Sequence, residues 1–168
     1  MWRSKLFGIG GRFNMKFFID ERQWPSSSTI KFYSDGSFGP RQKNYNFNFE
    51  IDLANGGSIS IICSLEEKKC YCLEGYTWKS WKNLKHTNID VSKATNASLL
   101  FEFDSTDMKK YGLLLDLNLK PTSFDNKKNL VLYGSILNDN IIKFAEGQYV
   151  CLTNNCIVGI IIDCSALS

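Results

Sequence analysis

The chain has 168 residues, 43% of them apolar and 14% aromatic, with 20 Lys+Arg against 17 Asp+Glu and a formal net charge of +3. That length allows one sizeable core and is short for two, and the charge lies well below that of a dedicated DNA-binding module, so nucleic acid is not the default partner. A single histidine, His86, excludes sites built on two or three imidazoles, and no apolar run reaches the roughly 18 to 20 residues of a membrane-spanning helix.

Residues 1–14 hold Arg3, Lys5 and Arg12 among glycines, with no acid before Asp20. A secretory signal needs about 7 to 15 uninterrupted apolar residues, which Gly8, Gly10, Gly11 and Arg12 prevent. The segment is expected to be a flexible, solvated arm ahead of a single all-β domain over residues 15–168. Strands are predicted at 16–20 and 29–33, the second closed by Asp35-Gly36, where positive φ suits a tight turn. Residues 39–44 read as a loop.

Residues 45–53 carry the clearest signal. Tyr45, Phe47, Phe49, Ile51 and Leu53 alternate with Asn46, Asn48, Glu50 and Asp52, which specifies a strand with one face in a core and one in water. Asn55-Gly56-Gly57 turns the chain into a returning strand at 58–64, and Glu67-Lys68 turns it again into 69–73. Between 76 and 86 the period changes: Trp78, Trp81 and Leu84 recur at threes beside Lys79, Lys82 and Lys85, as in a short helix with one apolar stripe. Residues 90–97 suit another turn, with Asp90 or Ser92 as cap. Further strands are expected at 99–103, 112–119, 129–137, 141–145, 148–152 and 156–163. About ten strands with one or two short helices make an antiparallel β-sandwich or partly open β-barrel.

Six cysteines in a chain without a signal sequence are expected to be reduced, packed thiols in a cytoplasmic protein. The predicted turns set Cys63 opposite Cys72 and Cys151 opposite Cys156. Facing strand residues stand slightly too far apart for an unstrained disulfide, and the spacing of Cys70, Cys72, Cys151 and Cys156 does not match a zinc knuckle. No metal and no cofactor is expected.

Catalytic signals are weak throughout. His86 has no nucleophile signature around it. Gly8-Ile9-Gly10-Gly11 follows no strand and opens no helix, unlike a phosphate loop. Asp104-Ser105-Thr106-Asp107 lacks the glycine and terminal glutamate of a calcium loop. Carboxylates such as Glu50 with Asp52 are ordinary on a solvated sheet face, and Asn96-Ala97-Ser98 is a glycosylation sequon only in a secreted chain.

Charge placement is more suggestive. Lysines gather in turns and in the 76–86 segment, whereas Asn46, Asn48, Glu50, Asp52, Glu102, Asp104, Asp116 and Asn118 occupy outward strand positions. If those strands are neighbours, they form an acidic, amide-rich face able to steer and hold a basic protein. The expectation is a non-catalytic protein-binding module, most concretely one similar in composition to bacterial immunity proteins that occlude a cationic nuclease-type toxin. Two alternatives stand beside it. A lipocalin-like barrel would line a ligand cavity with Trp24, Phe32, Phe47, Phe49 and Phe101, and a single-strand nucleic-acid binder would use Trp78, Lys79, Trp81, Lys82 and Lys85, with bases on rings and phosphates on lysines.

Overall fold

The computed structural model describes residues 2–6, 12–41, 47–52, 58–76, 78–103, 113–115, 119, 121–136 and 140–167. They form fifteen strands: β1 (Trp2–Leu6), β2 (Arg12–Asp20), β3 (Ile30–Phe32), β4 (Phe38–Pro40), β5 (Phe47–Asp52), β6 (Ser58–Ser64), β7 (Lys69–Gly75), β8 (Thr95–Asn96), β9 (Ser98–Phe103), β10 (Leu113–Leu115), β11 (Pro121–Asp125), β12 (Leu130–Gly134), β13 (Ile141–Ala145), β14 (Gln148–Thr153) and β15 (Cys156–Asp163). Two short 3-10 helices, Trp78–Asn83 and Ser165–Leu167, complete the described residues.

Nine strands make the first sheet, in the order β3-β4-β7-β6-β5-β10-β1-β2-β9, and six make the second, β11-β12-β15-β14-β13-β8. Pairing is antiparallel except between β5 and β10 and between β8 and β13. The outer edge of β7 is shared: Lys69 and Cys70 pair with Leu100 and Leu99 of β9, and Gly75 pairs with Phe38 of β4. The first sheet therefore curls back on itself through the two residue pairs that join β7 and β9, and with the second sheet packed against it the architecture is consistent with a sandwich.

Alternation drives the first sheet. Phe47, Phe49 and Ile51 of β5 and Ile59, Ile61 and Cys63 of β6 are buried, while Asn48, Glu50, Ser58 and Ser60 between them are only half-buried. The inward set meets Val131, Tyr133, Phe144, Val150, Ile160 and Ile162 of the second sheet in one core. The sheets are also joined through the backbone: Phe17 N donates to Asn155 O at 2.9 Å, Ser26 N to Phe144 O at 2.8 Å and Ala97 N to Lys143 O at 3.2 Å. Where β9 and β4 leave a gap along β7, the fully buried Gln148 fills it. Its Oε1 accepts from Leu73 N at 2.7 Å and its Nε2 donates to Ser28 O at 3.2 Å, so no buried backbone donor there is abandoned.

The second sheet is covered on both sides. Leu130, Leu132, Ile141, Cys151 and Ile161 point away from the main core into a second one closed by Ile89, with Val91, Ala94 and Ile136 packed against it. At the pairing of Gly134 with Gly159 the strands approach too closely for any side chain: a Cβ on Gly159 would lie 2.1 Å from Ser135 O, and one on Gly134, whose φ is +81°, would lie 2.3 Å from Val158 O.

Several expectations are corrected. Residues 2–6, read as part of a flexible arm, form β1 and pair with β10 and β2, because those strands present edges whose N–H and C=O groups need partners. Gly39 and Pro40, read as loop, belong to β4, with Pro40 at the strand end where its missing N–H is tolerated. Pro121 starts β11, a strand not expected from the sequence. The turn expected within residues 90–97 is present, with Asp90 Oδ1 accepting from Ser92 N at 2.9 Å, and it leads to β8.

Candidate functional site

The outward positions of β5, β6 and β7 form a cross-strand row in which Glu50 pairs with Ser60 and Ser60 with Glu74. Asn48 lies one step along and donates from Nδ2 to Ser60 Oγ at 3.4 Å. Two carboxylates thus lie two strands apart, about 9 to 10 Å given the interstrand spacing, with the small hydroxyl of Ser60 between them. Continuing the row, Glu50 pairs with Leu114 of β10 and Leu114 with Lys5 of β1, so acidic character ends where β1 begins.

The sequence places Glu50 and Glu102 on one face, but β10, β1 and β2 stand between β5 and β9 on one side and β6 and β7 on the other. Glu102 instead pairs with Lys16. Asn48 and Glu50 are therefore brought together and Glu102 is not. Asp52 occupies the end of β5 opposite Ser58, while Asn46, Asp104, Asp116 and Asn118 lie outside the described residues. Glu74 is the member that sequence reading missed. The signal was present, because period 2 carried past Leu73 to Gly75 reaches it.

In the aromatic-lysine segment, Trp81 is withdrawn from any stacking surface. Trp81 is 1% exposed, packs on Phe38 at 5.3 Å, Phe32 at 6.0 Å and Tyr133 at 6.2 Å between ring centroids, and donates from Nε1 to the Tyr133 hydroxyl. Lys79 and Lys85 are exposed; Trp78 and Lys82 lie in the same 3-10 segment. Lys85 has new company, however. Thr87 N donates to Phe124 O at 3.1 Å and Phe124 N to Lys85 O at 3.0 Å, His86 Nδ1 lies 3.0 Å from Phe124 O, and Lys128 Nζ donates to Asn88 Oδ1 at 3.0 Å. These bonds gather Lys85, His86, Lys127 and Lys128 at one corner.

The corner is anchored by Asp125, 1% exposed. Its Oδ2 accepts from Ile89 N at 2.9 Å, and its Oδ1 from Lys127 N at 3.0 Å and Lys128 N at 3.2 Å. Burial pushes this carboxyl upward, but the three N–H groups and the Lys128 ammonium outweigh it and hold the pKa below the ordinary 3.8.

The proposed ligand-lining aromatics do not act as one wall. Trp24 is 84% exposed, whereas Phe47, Phe49 and Phe101 pack on one another with centroids 4.8 to 6.1 Å apart, and Phe32 packs on Trp81. Among the described residues no three His, Cys, Asp or Glu side chains converge as a metal site, and no helix is long and apolar enough to cross a membrane.

All six cysteines are free, five buried and Cys156 half-buried. The predicted facings are corrected by bulges. Between Ile62 and Cys63 the register shifts, so Cys63 faces Cys70 and Cys72 faces Ile62. The second turn falls at Asn154-Asn155, both with positive φ, so Cys156 faces Thr153 and Cys151 faces Gly159. Burial pushes the Cys72 thiol up to about 12 and also raises Cys156. No family model, no curated protein and no solved structure matches this chain.

Proposed function

We propose that the protein is a non-catalytic, cytoplasmic, stoichiometric binder of a basic protein, acting as an immunity protein does when it occludes a cationic nuclease-type toxin. The supporting observation is the Glu50-Ser60-Glu74 row with Asn48 beside it: two acids and two further polar groups on the sheet, with no lysine or arginine among those positions. A basic partner would be steered by the carboxylates and held by the amide and the hydroxyl. Buried thiols with raised pKa values are poor nucleophiles at neutral pH, which favours binding over covalent chemistry.

The test is capture from the source cell on immobilised protein. Wild type should retain one basic protein in near-equal amount, less as salt rises, because exposed charges are screened over about 10 Å at 0.1 M. Glu50→Lys with Glu74→Lys should lose it. Equal recovery by the double variant would remove the acidic row from consideration.

A second reading rests on the corner of Lys85, His86, Lys127 and Lys128, which suits the phosphates of a single-stranded nucleic acid better than the segment containing buried Trp81 does. Binding of an oligonucleotide that weakens steeply with salt and disappears in Lys85→Glu with Lys127→Glu would favour this reading over the first.

A further inference from the structure

We propose that Cys63 and Cys70 are a redox pair whose state, dithiol or disulfide, is fixed while the chain folds and is then sealed by burial. The two Sγ atoms lie 3.6 Å apart across β6 and β7, about 1.5 Å beyond the length of a disulfide bond, a gap that side-chain rotation with a slight approach of the two strands would close. The bulge is what creates the pair: by shifting the register one step, it aims Cys70 inward at Cys63 and leaves Cys72 opposite Ile62, beside Gln148.

Only the pair Ser64–Lys69 and the turn at 65–68 separate the two cysteines, so the hairpin can bring them together before any distant strand arrives. Later, β9 pairs with Cys70 through Leu99, and β5 pairs with Cys63 through Phe47. Both thiols end fully buried in the main core. Burial and the neighbouring Cys70 push the Cys63 thiol well above its ordinary pKa, which suppresses the thiolate that exchange requires.

The co-reactant is a small disulfide such as oxidised glutathione. One cysteine thiolate attacks it, releasing one reduced thiol and forming a mixed disulfide. The second thiolate then attacks the protein sulfur of that intermediate, releasing another reduced thiol. The protein loses two protons and two electrons, and the co-reactant gains both.

The experiment compares two orders of exposure for the wild-type chain. In one, urea-unfolded protein is refolded in a mixture of reduced and oxidised glutathione. In the other, protein folded under reducing conditions meets the same mixture afterwards. Peptide mapping across Lys68 and Lys69, with fragment ions that separate Cys70 from Cys72, identifies the linkage. Oxidative refolding should yield mainly Cys63–Cys70, with the chain lighter by two hydrogen atoms. The folded dithiol should form the same link more slowly by a factor on the order of 10³ or more, since access requires unfolding. A dominant Cys63–Cys72 link, no link at all, or equal rates in the two orders would overturn the proposal.

Discussion

The outer faces of the two sheets obey different rules. On the first sheet, Asn48, Glu50, Ser60 and Glu74 face outward and the strands alternate. On the second, the corresponding face carries Leu130, Leu132, Ile141 and Ile161, buried beneath Ile89 and its neighbours. The first sheet is an outer layer and the second a middle one. Alternation thus reports water on one side, and continuous apolar runs such as 130–133 and 160–162 report cover on both.

The sharpest way to break this comparison is to place the same polar residue on each outer face. Ile161→Asn would lose a fully buried side chain and bury an amide without designed partners, costing about 3 to 5 kcal/mol. Ile62→Asn, at a half-buried outward position of β6, should cost under about 1 kcal/mol. Urea denaturation measures both, and similar costs would show that the second sheet is not a covered layer.

This contrast also explains what the sequence could reveal. The strand at 58–64 and those at 141–145 and 156–163 match β6, β13 and β15, because their patterns and turn residues agree. β1 and β4 were hidden because glycines follow the first and Gly39-Pro40 reads as a turn signal in the second, although each pairs with its neighbour in sequence as well as with a distant strand. The facing of Cys63 was misjudged because a bulge adds a residue that turn counting cannot see. The acidic face was legible as outward positions along each strand, but Glu50 and Glu102 depend on strand order, which period 2 does not encode. The corner of Lys85 and Lys127 depends on backbone bonds between 85–87 and Phe124 and left no mark in either segment.

The cover itself is the next target. Ile89 is fully buried in the second core, so Ile89→Ala should cost about 2 to 4 kcal/mol. Hydrogen exchange at Thr87 N and Ile89 N should accelerate more than at Phe49 N, because the first sheet does not depend on this segment. Uniform acceleration would mean that the cover and both sheets open as one unit.

Asp125 holds the same cover electrostatically. Its pKa is lower folded than unfolded, so its contribution is fully present above the ordinary carboxyl value and is lost as pH falls through the folded one. Below about pH 4 the wild type should therefore lose stability that Asp125→Asn does not lose. At pH 7 the variant should be weaker by about 1 to 3 kcal/mol, because an amide replaces a charged acceptor of three N–H groups. Urea midpoints at pH 7 and pH 3 measure this, and parallel falls in the two proteins would remove Asp125 as the source of acid sensitivity.

The smallest expected effect is on the opposite outer face. Glu50 sits between the Ser60 and Leu114 positions, half-buried, and a lysine there can lay its stem along the sheet and keep its ammonium in water. Glu50→Lys with Glu74→Lys should consequently change stability by no more than about 0.5 kcal/mol per site. That tolerance is what would make loss of partner capture in the same variant a statement about binding. A large drop in the urea midpoint would instead show that this acidic row supports the sheet, and the two outer faces would then differ less than their burial suggests.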